Sequence, residues 1–508
     1  MKKLPIGIST FEKIRSDDYI YIDKTKEALE LIENGAYYFL SRPRRFGKSL
    51  FLDTLKEIFE GNKELFKGLY IYDKYDFTPH PVIKISFSGG IRDQKSLNRY
   101  LFLSLKENQK RLQIECEEDE YPDICFRELI VKAYEKYNKK VVVLVDEYDK
   151  PILDNINKLD IAYEIREGLK DFYTKIKDSD EYLQFAFLTG VSKFSKVSIF
   201  SGLNNLEDIT LHTRYSTICG YTQRDIETSF KELLEGVDLE KLKEWYNGYN
   251  FLGERVYNPF DILLFISNNF IYKNYWFSTG TPSFLIKLLK EGNYFIPSLE
   301  NLVAGETLID SFDIERLKLE PLLFQSGYLT IDKAEERSFG GYRYYLKPPN
   351  KEVQISFNDI LIDFLTKDDE YEIRKDDIYL SLEKTDMESF KETLISLYAS
   401  IPYNTYVKNN ISSYEGYYAS VFYVYIASLG VKIIAEDVTN RGRIDFTVFI
   451  KDKIYIFEFK VTNEDPLSQI KKKKYYEKYL NENKEIILVG IKFDEEEKNI
   501  KELVWERV

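Results

Sequence analysis

Three adjacent residues, Gly47, Lys48 and Ser49, have the types that a nucleotide phosphate site needs. In such a loop, backbone N–H groups at a helix N-terminus meet phosphate oxygens, while the lysine reaches phosphate and the hydroxyl reaches Mg²⁺. The usual pattern also has a glycine five positions before Gly47, where this sequence has Arg42. The tripeptide predicts a phosphate site with an altered loop. The plain alternative is a helix N-terminus with a solvent-facing lysine.

Two adjacent acids, Asp146 and Glu147, follow the apolar run in KKVVVLVDEYD. In this arrangement the aspartate helps to hold Mg²⁺ and the glutamate polarises the attacking water. An acidic strand end without a catalytic role is the alternative. Together with the lysine of the loop, the two acids favour ATP binding and hydrolysis.

Three further residues are candidates for contact with the nucleotide. Thr189 ends the apolar run LQFAFLT and is predicted to lie between the two motifs and sense the γ-phosphate, with a strand-end cap as the alternative. Arg44 and Arg45 are predicted to bind phosphate by direct charge, although exposed arginines beside a loop are common. The complete predicted ATP set is Arg44, Arg45, Gly47, Lys48, Ser49, Asp146 and Thr189, with Mg²⁺ on Ser49 and Asp146.

The C-terminal segment GRIDFTVFIKDKIYIFEFK contains a second candidate site. Asp445 lies in one predicted strand, and Glu458 and Lys460 lie two apart in the next, so the last two project from one face. Carboxylates that hold Mg²⁺ and a lysine that orients water are what phosphodiester cleavage requires. The alternative is an exposed hairpin whose Glu458–Lys460 ion pair contributes at most about 1 kcal/mol.

The elements around these residues indicate a multidomain α/β protein. The runs AYYFLS, PVIKISFSG, KKVVVLVDEYD and LQFAFLTGVS predict strands separated by helices, hence a parallel sheet with its ligand at the strand carboxyl ends. Helical segments from about residue 225 to 290 predict a lid. A hairpin turning at Gly340 and Gly341 between helices predicts a winged-helix-like connector. The last hundred or so residues predict a compact α/β unit.

Length and composition set limits on the organisation and the partners. A chain of 508 residues is too long for one core, and we divide it into segments 1–290, 291–402 and 403–508. The net charge of −13 argues against bulk adhesion to nucleic acid, so any such contact must be local. Three sparse cysteines, the absence of a signal-like start and apolar runs too short to span a bilayer predict a cytoplasmic protein without a membrane partner.

Six motifs resemble those of the bacterial AAA-ATPase-like family whose members carry a C-terminal PD-(D/E)XK nuclease domain. They are IGISTFEKI, YIDKT, FLSRPRRFGKSL, VVVLVDEYDKP, FLTGVSKF and YNGYNF. The resemblance implies an AAA-like P-loop domain with a parallel sheet, followed by the connector and by a small α/β domain that is similar to restriction endonucleases. It gives Lys48, Ser49, Asp146 and Glu147 the phosphate and magnesium roles. An arginine often completes a neighbouring subunit's site in such families, which leaves a homo-oligomer open.

The Asp445, Glu458 and Lys460 spacing resembles the PD-(D/E)XK core, with Ile444 in place of the proline. By the same resemblance, Glu415 is the helix-borne acid near the metal, and Glu436 is a more distant candidate. Further along the chain, Gln469 and Tyr475 are similar to a Gln and a Tyr of many such nucleases, at a different spacing. The lysines 471–474 either contact phosphates or form a solvated helix face.

These observations predict an ATP-binding AAA-like ATPase whose nucleotide state controls a Mg²⁺-dependent nuclease that cuts DNA. The predicted catalytic residues are Asp445, Glu458, Lys460, Glu415 and Glu147. Two alternatives stay open: a regulatory switch whose C-terminal domain binds nucleic acid or protein without cutting, and an assembly scaffold that uses ATP to set its oligomeric state.

Overall fold

The computed structural model gives the fold of most of the chain. It describes residues 2–87, 89–193, 203, 205–276, 296–305, 319–366, 368, 370–401, 414–461, 464–494 and 496–508. The chain divides into two compact units, residues 1–288 with 303–350, and residues 289–302 with 351–508. The predicted segment boundaries at 290 and 402 lie outside the described residues and stay predictions.

The first unit contains a five-stranded parallel sheet and smaller antiparallel pieces. Its strands are β1 Tyr37–Ser41, β2 Val82–Ser86, β3 Val141–Asp146, β4 Leu183–Gly190, β5 Glu207–Asp208, β6 Asn247–Tyr249, β7 Val256–Tyr257, β8 Val303–Gly305, β9 Thr330–Glu336 and β10 Tyr342–Lys347. The parallel sheet has the order β2-β3-β4-β1-β5. All six residues of β3 are buried, as a central parallel strand requires. This arrangement is the predicted AAA-like sheet.

Helices connect the strands of the first unit. They are α1 Phe11–Ser16, α2 Thr25–Asn34, α3 Lys48–Phe59, α4 Gln94–Leu112, α5 Pro122–Tyr137, α6 Lys150–Leu153, α7 Leu159–Asp178, α8 Gln223–Ser229, α9 Leu239–Tyr246, α10 Pro259–Ser267 and α11 Leu319–Ser326. Short 3₁₀ segments lie at Lys63–Phe66, Asp180–Tyr182 and Thr213–Tyr215. The helix α3 that follows the predicted phosphate loop packs on β2, β3 and β4.

The edge strand β2 is covered by side chains of α4. The Asn108 amide donates to Lys84 O (2.8 Å) and its oxygen accepts from Lys84 N (2.9 Å), so this residue takes the place of a neighbouring strand. Arg111 donates to Val82 O, and the Tyr100 hydroxyl donates to Ser86 O at 2.5 Å. Four backbone groups of this edge are therefore satisfied within the unit.

Two peripheral parts of the first unit agree with the sequence prediction. Helices α8, α9 and α10 share an apolar core with Ile20 and Ile22, which gives the expected helical subdomain beside the sheet. Strands β9 and β10 form the expected antiparallel hairpin, with Gly340 and Gly341 in its turn, and β8 pairs with β10.

The second unit is a mixed sheet packed against helices. Its strands are β11 Lys432–Thr439, β12 Gly442–Ile450, β13 Lys453–Lys460, β14 Glu485–Asp494 and β15 Asn499–Arg507. Its helices are α12 Lys351–Thr366, α13 Tyr371–Lys384, α14 Met387–Ser400, α15 Tyr414–Ser428 and α16 Pro466–Lys473, with 3₁₀ segments at Ile296–Asn301 and Tyr475–Glu482. The strands follow chain order across the sheet, and only the β13–β14 pair among them is parallel.

The core of this second sheet forms against α15. The ring of Phe422 contacts those of Phe446, Phe457 and Phe459, which project from one face. Glu458 and Lys460 alternate with these rings along β13 and therefore project from the other face, as the sequence predicted. Among the described residues, no helix is long and apolar enough to cross a bilayer.

Candidate active sites

The predicted phosphate loop lies between β1 and α3. Strand β1 ends at Ser41 and α3 begins at Lys48, with Gly47 at the N-cap position. Gly47 has φ +92°, a backbone conformation that favours glycine, and Arg45 has φ +68°. The strand, tight loop and helix that phosphate binding requires are therefore present at the predicted place.

Lys48 is turned back onto this loop. Its ammonium group donates to Arg42 O and Pro43 O, both at 2.9 Å, and the residue is buried. Burial lowers the pKa of Lys48, an effect that the nearby Asp146 opposes. Because an ammonium has three N–H donors, the loop carbonyls leave a donor for a ligand oxygen.

Arg42, which stands where the usual loop has glycine, points into the interior. Its guanidinium donates to Ser41 O (2.9 Å), Thr210 O (2.7 Å) and Tyr215 O (3.1 Å). It also lies 3.9 Å from the ring centroid of Phe251, and burial lowers its pKa to about 10. Arg42 therefore fastens the loop to a neighbouring segment, a role that the sequence did not reveal.

The acidic motif follows β3, which is separated by one strand from β1, the strand before the phosphate loop. The order of the sheet places β4 between β1 and β3, and Leu40 pairs with Thr189. The Thr189 hydroxyl donates to Asp146 Oδ1 at 2.6 Å, and both residues are buried. Thr189 thus has the predicted position between the two motifs, and it also orients the aspartate.

Glu147 follows β3 in a left-handed conformation, with φ +53°. Burial, and next the charge of Asp146, raise the pKa of its carboxyl group. Its side chain lines the cavity in front of the loop, where a carboxylate can orient a water molecule.

A cavity of about 410 Å³ adjoins the loop, a size that suits a small-molecule ligand. Its polar lining comes mainly from the loop and the acidic motif, and includes Arg44 and Arg45. The Arg45 guanidinium also lies 4.9 Å from the ring centroid of Phe260. The less polar lining, which the sequence prediction did not assign to the site, consists of Pro5, Gly7, Ile8, Phe46, Leu50, Tyr221, Pro259, Phe260 and Leu263.

Asp149 is a second buried residue that the prediction missed. Its Oδ2 accepts from Val191 N (3.0 Å), Ser192 N (2.6 Å) and Ser192 Oγ (2.7 Å), and burial raises its pKa. It therefore holds the segment after β4 against the segment after β3. Its place three residues after Asp146, directly after the apolar strand, was the available sequence signal.

The C-terminal site lies where two strands stop pairing. The β12–β13 ladder extends from Ile450↔Lys453 to Phe446↔Phe457. Beyond this point the carboxylate of Asp445 takes the place of a strand partner, since its Oδ2 accepts from Phe459 N at 2.7 Å. The half-buried Asp445 therefore lies at the carboxyl end of β13, beside Glu458.

Side chains from three elements meet at Glu458, which is buried. Lys460 donates to Glu458 Oε1 at 3.0 Å, and the Gln469 amide of α16 donates to the same oxygen. Burial raises the pKa of the nearby Tyr475 hydroxyl, an effect that Gln469 opposes. Asp445, Glu458, Lys460, Gln469 and Tyr475 are thus brought together, including the two residues whose spacing is unusual.

The donors at this place fit a hard divalent cation. Carboxylates from two strands, Asp445 and Glu458, offer oxygens of the kind that Mg²⁺ prefers. The third predicted acid, Glu415, is in α15, and its side chain lies outside the described part of the chain. Within that described part, no three His, Cys, Asp or Glu side chains form a group able to hold a metal ion.

Comparison with known proteins agrees with the division into an ATPase-like and a nuclease-like domain. Residues 5–200 match the family model described as Predicted AAA-ATPase, and residues 413–503 match that of the PD-(D/E)XK nuclease superfamily. A protein of Azotobacter chroococcum mcd 1, named "Uncharacterized protein in vnfD 5'region", is 48% identical over 507 residues, which cover 98% of each chain. The chain belongs to the bacterial AAA-ATPase-like family with a C-terminal PD-(D/E)XK nuclease domain. No solved structure gives a significant match.

The remaining candidates of this AAA-ATPase-like protein lie on the surface of the nuclease domain. Glu436 forms an exposed ion pair with Arg443, with N–O distance 3.1 Å. Lys471 pairs with Glu506, and Lys474 pairs with Glu477 at 3.5 Å. The lysine run is therefore partly a solvated, ion-paired helix end, and its contact with phosphate stays a prediction.

Proposed function

We propose that this protein is an ATPase whose nucleotide state controls Mg²⁺-dependent cleavage of DNA by its C-terminal domain. The observation that carries the proposal is the convergence of Asp445, Glu458, Lys460 and Gln469 at one end of the second sheet. Burying a carboxylate beside a lysine and a second carboxylate costs desolvation free energy, and binding of a cation and a phosphate group would offset that cost.

In the ATPase domain, each predicted residue has a task that its position allows. The phosphate groups would bind the backbone of the loop and the ammonium of Lys48, with charge added by Arg44 and Arg45. Ser49 and Asp146 would hold Mg²⁺, and Thr189 keeps Asp146 oriented by its 2.6 Å hydrogen bond. Glu147 would orient the water that attacks the γ-phosphate.

In the nuclease domain, Asp445 and Glu458, with Glu415, would hold the metal. Bound there, Mg²⁺ lowers the pKa of a water molecule and offsets the charge that develops on the phosphate. Lys460 orients that water or the scissile phosphate from the same face, and Gln469 keeps the Glu458 carboxylate in place. The three free cysteines fit a reducing compartment, so we place this activity in the cytoplasm.

One observation favours a second candidate function, an ATP-dependent switch that binds nucleic acid without cutting it. The Glu458 carboxylate already has Lys460 and Gln469 as partners. A domain in which this carboxylate serves only as the centre of a polar cluster would keep the fold and lose the chemistry.

Cleavage of linear and circular DNA by the full chain, in Mg²⁺ with and without ATP, separates the two candidates. We expect Lys460→Ala to abolish cutting, and Lys48→Ala to remove its dependence on ATP. Lys484→Ala is the matched control, because Lys484 donates to Lys451 O at the opposite end of the same sheet. If the wild type leaves every substrate whole in Mg²⁺ and Mn²⁺ but binds DNA in an ATP-dependent way, the switch replaces the nuclease.

A further inference from the structure

The turn between β11 and β12 is fixed in shape and has arginines on both sides of a glycine. Thr439 pairs with Gly442 across the turn, the Thr439 hydroxyl donates to Gly442 O (2.9 Å), and Arg441 N donates to that hydroxyl (3.2 Å). Gly442 has φ +152°, and a Cβ atom placed on it would lie 2.7 Å from the Tyr475 hydroxyl. The turn therefore packs directly on Tyr475.

A short chain of contacts joins this turn to the candidate nuclease site. The Tyr475 hydroxyl lies against Gly442 of the turn and near the side chain of Gln469, which opposes the rise that burial causes in its pKa. The Gln469 amide in turn donates to Glu458. Tyr475 and Gln469 thus lie between the turn and Glu458.

The topology places the turn at the active end of the sheet. Strand β12 begins at Gly442 and runs antiparallel to β13, which ends at Lys460. Arg443 precedes Asp445 by two residues on the same strand, a separation of roughly 7 Å along the strand. A substrate phosphate held by Asp445, Glu458 and Lys460 would have its neighbouring phosphates within reach of this turn.

The two arginines are available for such phosphates. Their side chains are 40% (Arg441) and 61% (Arg443) exposed, and they form ion pairs with Glu477 (3.3 Å) and Glu436 (3.1 Å). Exposed ion pairs contribute little, so a phosphate can displace them, and a guanidinium binds phosphate with two parallel hydrogen bonds. In a chain of net charge −13, contact with nucleic acid must come from such local groups.

We propose that Arg441 and Arg443 clamp the phosphodiester backbone of the DNA substrate on either side of Gly442. The clamp rests on the proposed nuclease function and adds to it the residues that position the substrate. Glu436 and Glu477 occupy the two guanidinium groups until DNA replaces them.

The test compares the double variant Arg441→Gln/Arg443→Gln with the wild-type full chain in cleavage and binding of a labelled duplex. We expect KM to rise at least ~10-fold with kcat little changed, because the clamp positions DNA and leaves the reacting atoms alone. The slope of log(kcat/KM) against log[salt] should become less steep by about 1.8, since each phosphate contact contributes about 0.9. Arg441→Lys/Arg443→Lys should restore most of the slope and part of KM.

Arg507→Gln is the matched control. Arg507 is 58% exposed and pairs with Glu485 at 3.1 Å, at the opposite end of the same sheet, so this variant removes a similar charge away from the turn. An unchanged KM and salt slope in the double variant, or equal changes in Arg507→Gln, would overturn the clamp while leaving the nuclease function intact. If the wild type cuts nothing, the nuclease function fails by itself. The salt slope of duplex binding then decides the clamp, supporting it if the slope falls only in the double variant and overturning it otherwise.

Discussion

The two candidate sites are built on opposite principles. In the ATPase domain the lysine is bonded to the carbonyl oxygens of its own loop, 2.9 Å from each. In the nuclease domain the lysine of β13 and the amide of α16 both donate to one oxygen of the Glu458 carboxylate. A ligand oxygen can therefore take the remaining donor of Lys48, whereas Glu458 and Lys460 are already bonded to each other. We infer that the phosphate loop is suited to change conformation when nucleotide binds, and that the Glu458 site is suited to catalysis.

Removing the centre of the pre-assembled set should have the largest effect. Glu458→Gln keeps the size of the side chain and removes the charge, so we expect DNA cleavage in Mg²⁺ to fall at least ~10³-fold, as loss of a metal-binding carboxylate implies. ATP hydrolysis should persist, which shows that the chain is folded. A variant that cuts DNA at the wild-type rate would contradict the assignment of this site.

Removing the lysine of the phosphate loop should weaken nucleotide binding. For Lys48→Ala we expect the dissociation constant for ATP, measured by calorimetry, to rise about 10²-fold, since charged hydrogen bonds contribute about 1.5–3 kcal/mol each. Lys26→Ala, an exposed lysine 3.9 Å from Glu30, is the control and should bind normally. Equal affinities for both variants would show that Lys48 stays bound to its loop.

Arg42 sharpens the comparison because it holds the phosphate loop in place, whereas Lys48 is the residue proposed to bind phosphate. Arg42→Ala removes a buried guanidinium from three carbonyl oxygens, so we expect the free energy of unfolding to fall by about 3 kcal/mol, measured with urea. Arg42→Lys should recover little, because an ammonium lacks the planar fork. Full stability of Arg42→Ala, with ATP binding lost, would instead place Arg42 at the phosphates.

The smallest expected effect is at Thr189. Thr189→Val keeps the shape of the side chain and removes one buried hydrogen bond to Asp146. If this bond stabilises the transition state by about 1.4 kcal/mol, ATP hydrolysis should slow roughly tenfold. The dissociation constant for ATP should change little. If binding weakens as much as hydrolysis slows, Thr189 contributes to binding the ground state rather than to catalysis.

Much of the fold could be read from the sequence, because strand runs and turn residues are local signals. The four apolar runs became β1 to β4, and the hairpin turns at Gly340 and Gly341 as predicted. Helix α5 and strand β15 were missed. Strand β15, Asn499–Arg507, has charged residues at four of its nine positions, as an edge strand permits, so its pattern is not typical of a strand.

The sites were harder to predict than the fold, because side-chain direction is not a local property. Arg42 reads as an absent glycine, and only the carbonyls of Thr210 and Tyr215, far along the chain, show why an arginine is there. Asp149 reads as one more acid in DEYD until its bonds to Ser192 are seen. By contrast, the resemblance singled out Gln469 in advance, although its spacing from Tyr475 is unusual, and its amide donates to Glu458.

The covering of β2 by α4 has a consequence for assembly. Because Asn108 occupies both hydrogen-bonding groups of Lys84, a second copy of the chain cannot continue the sheet from this side without first displacing a helix. Any assembly of the ATPase domain through this edge must then use side-chain surfaces, whose contacts a bound nucleotide can alter without rebuilding a backbone ladder. Once α4 has folded onto β2, it also prevents a newly synthesised chain from pairing with other chains through this edge.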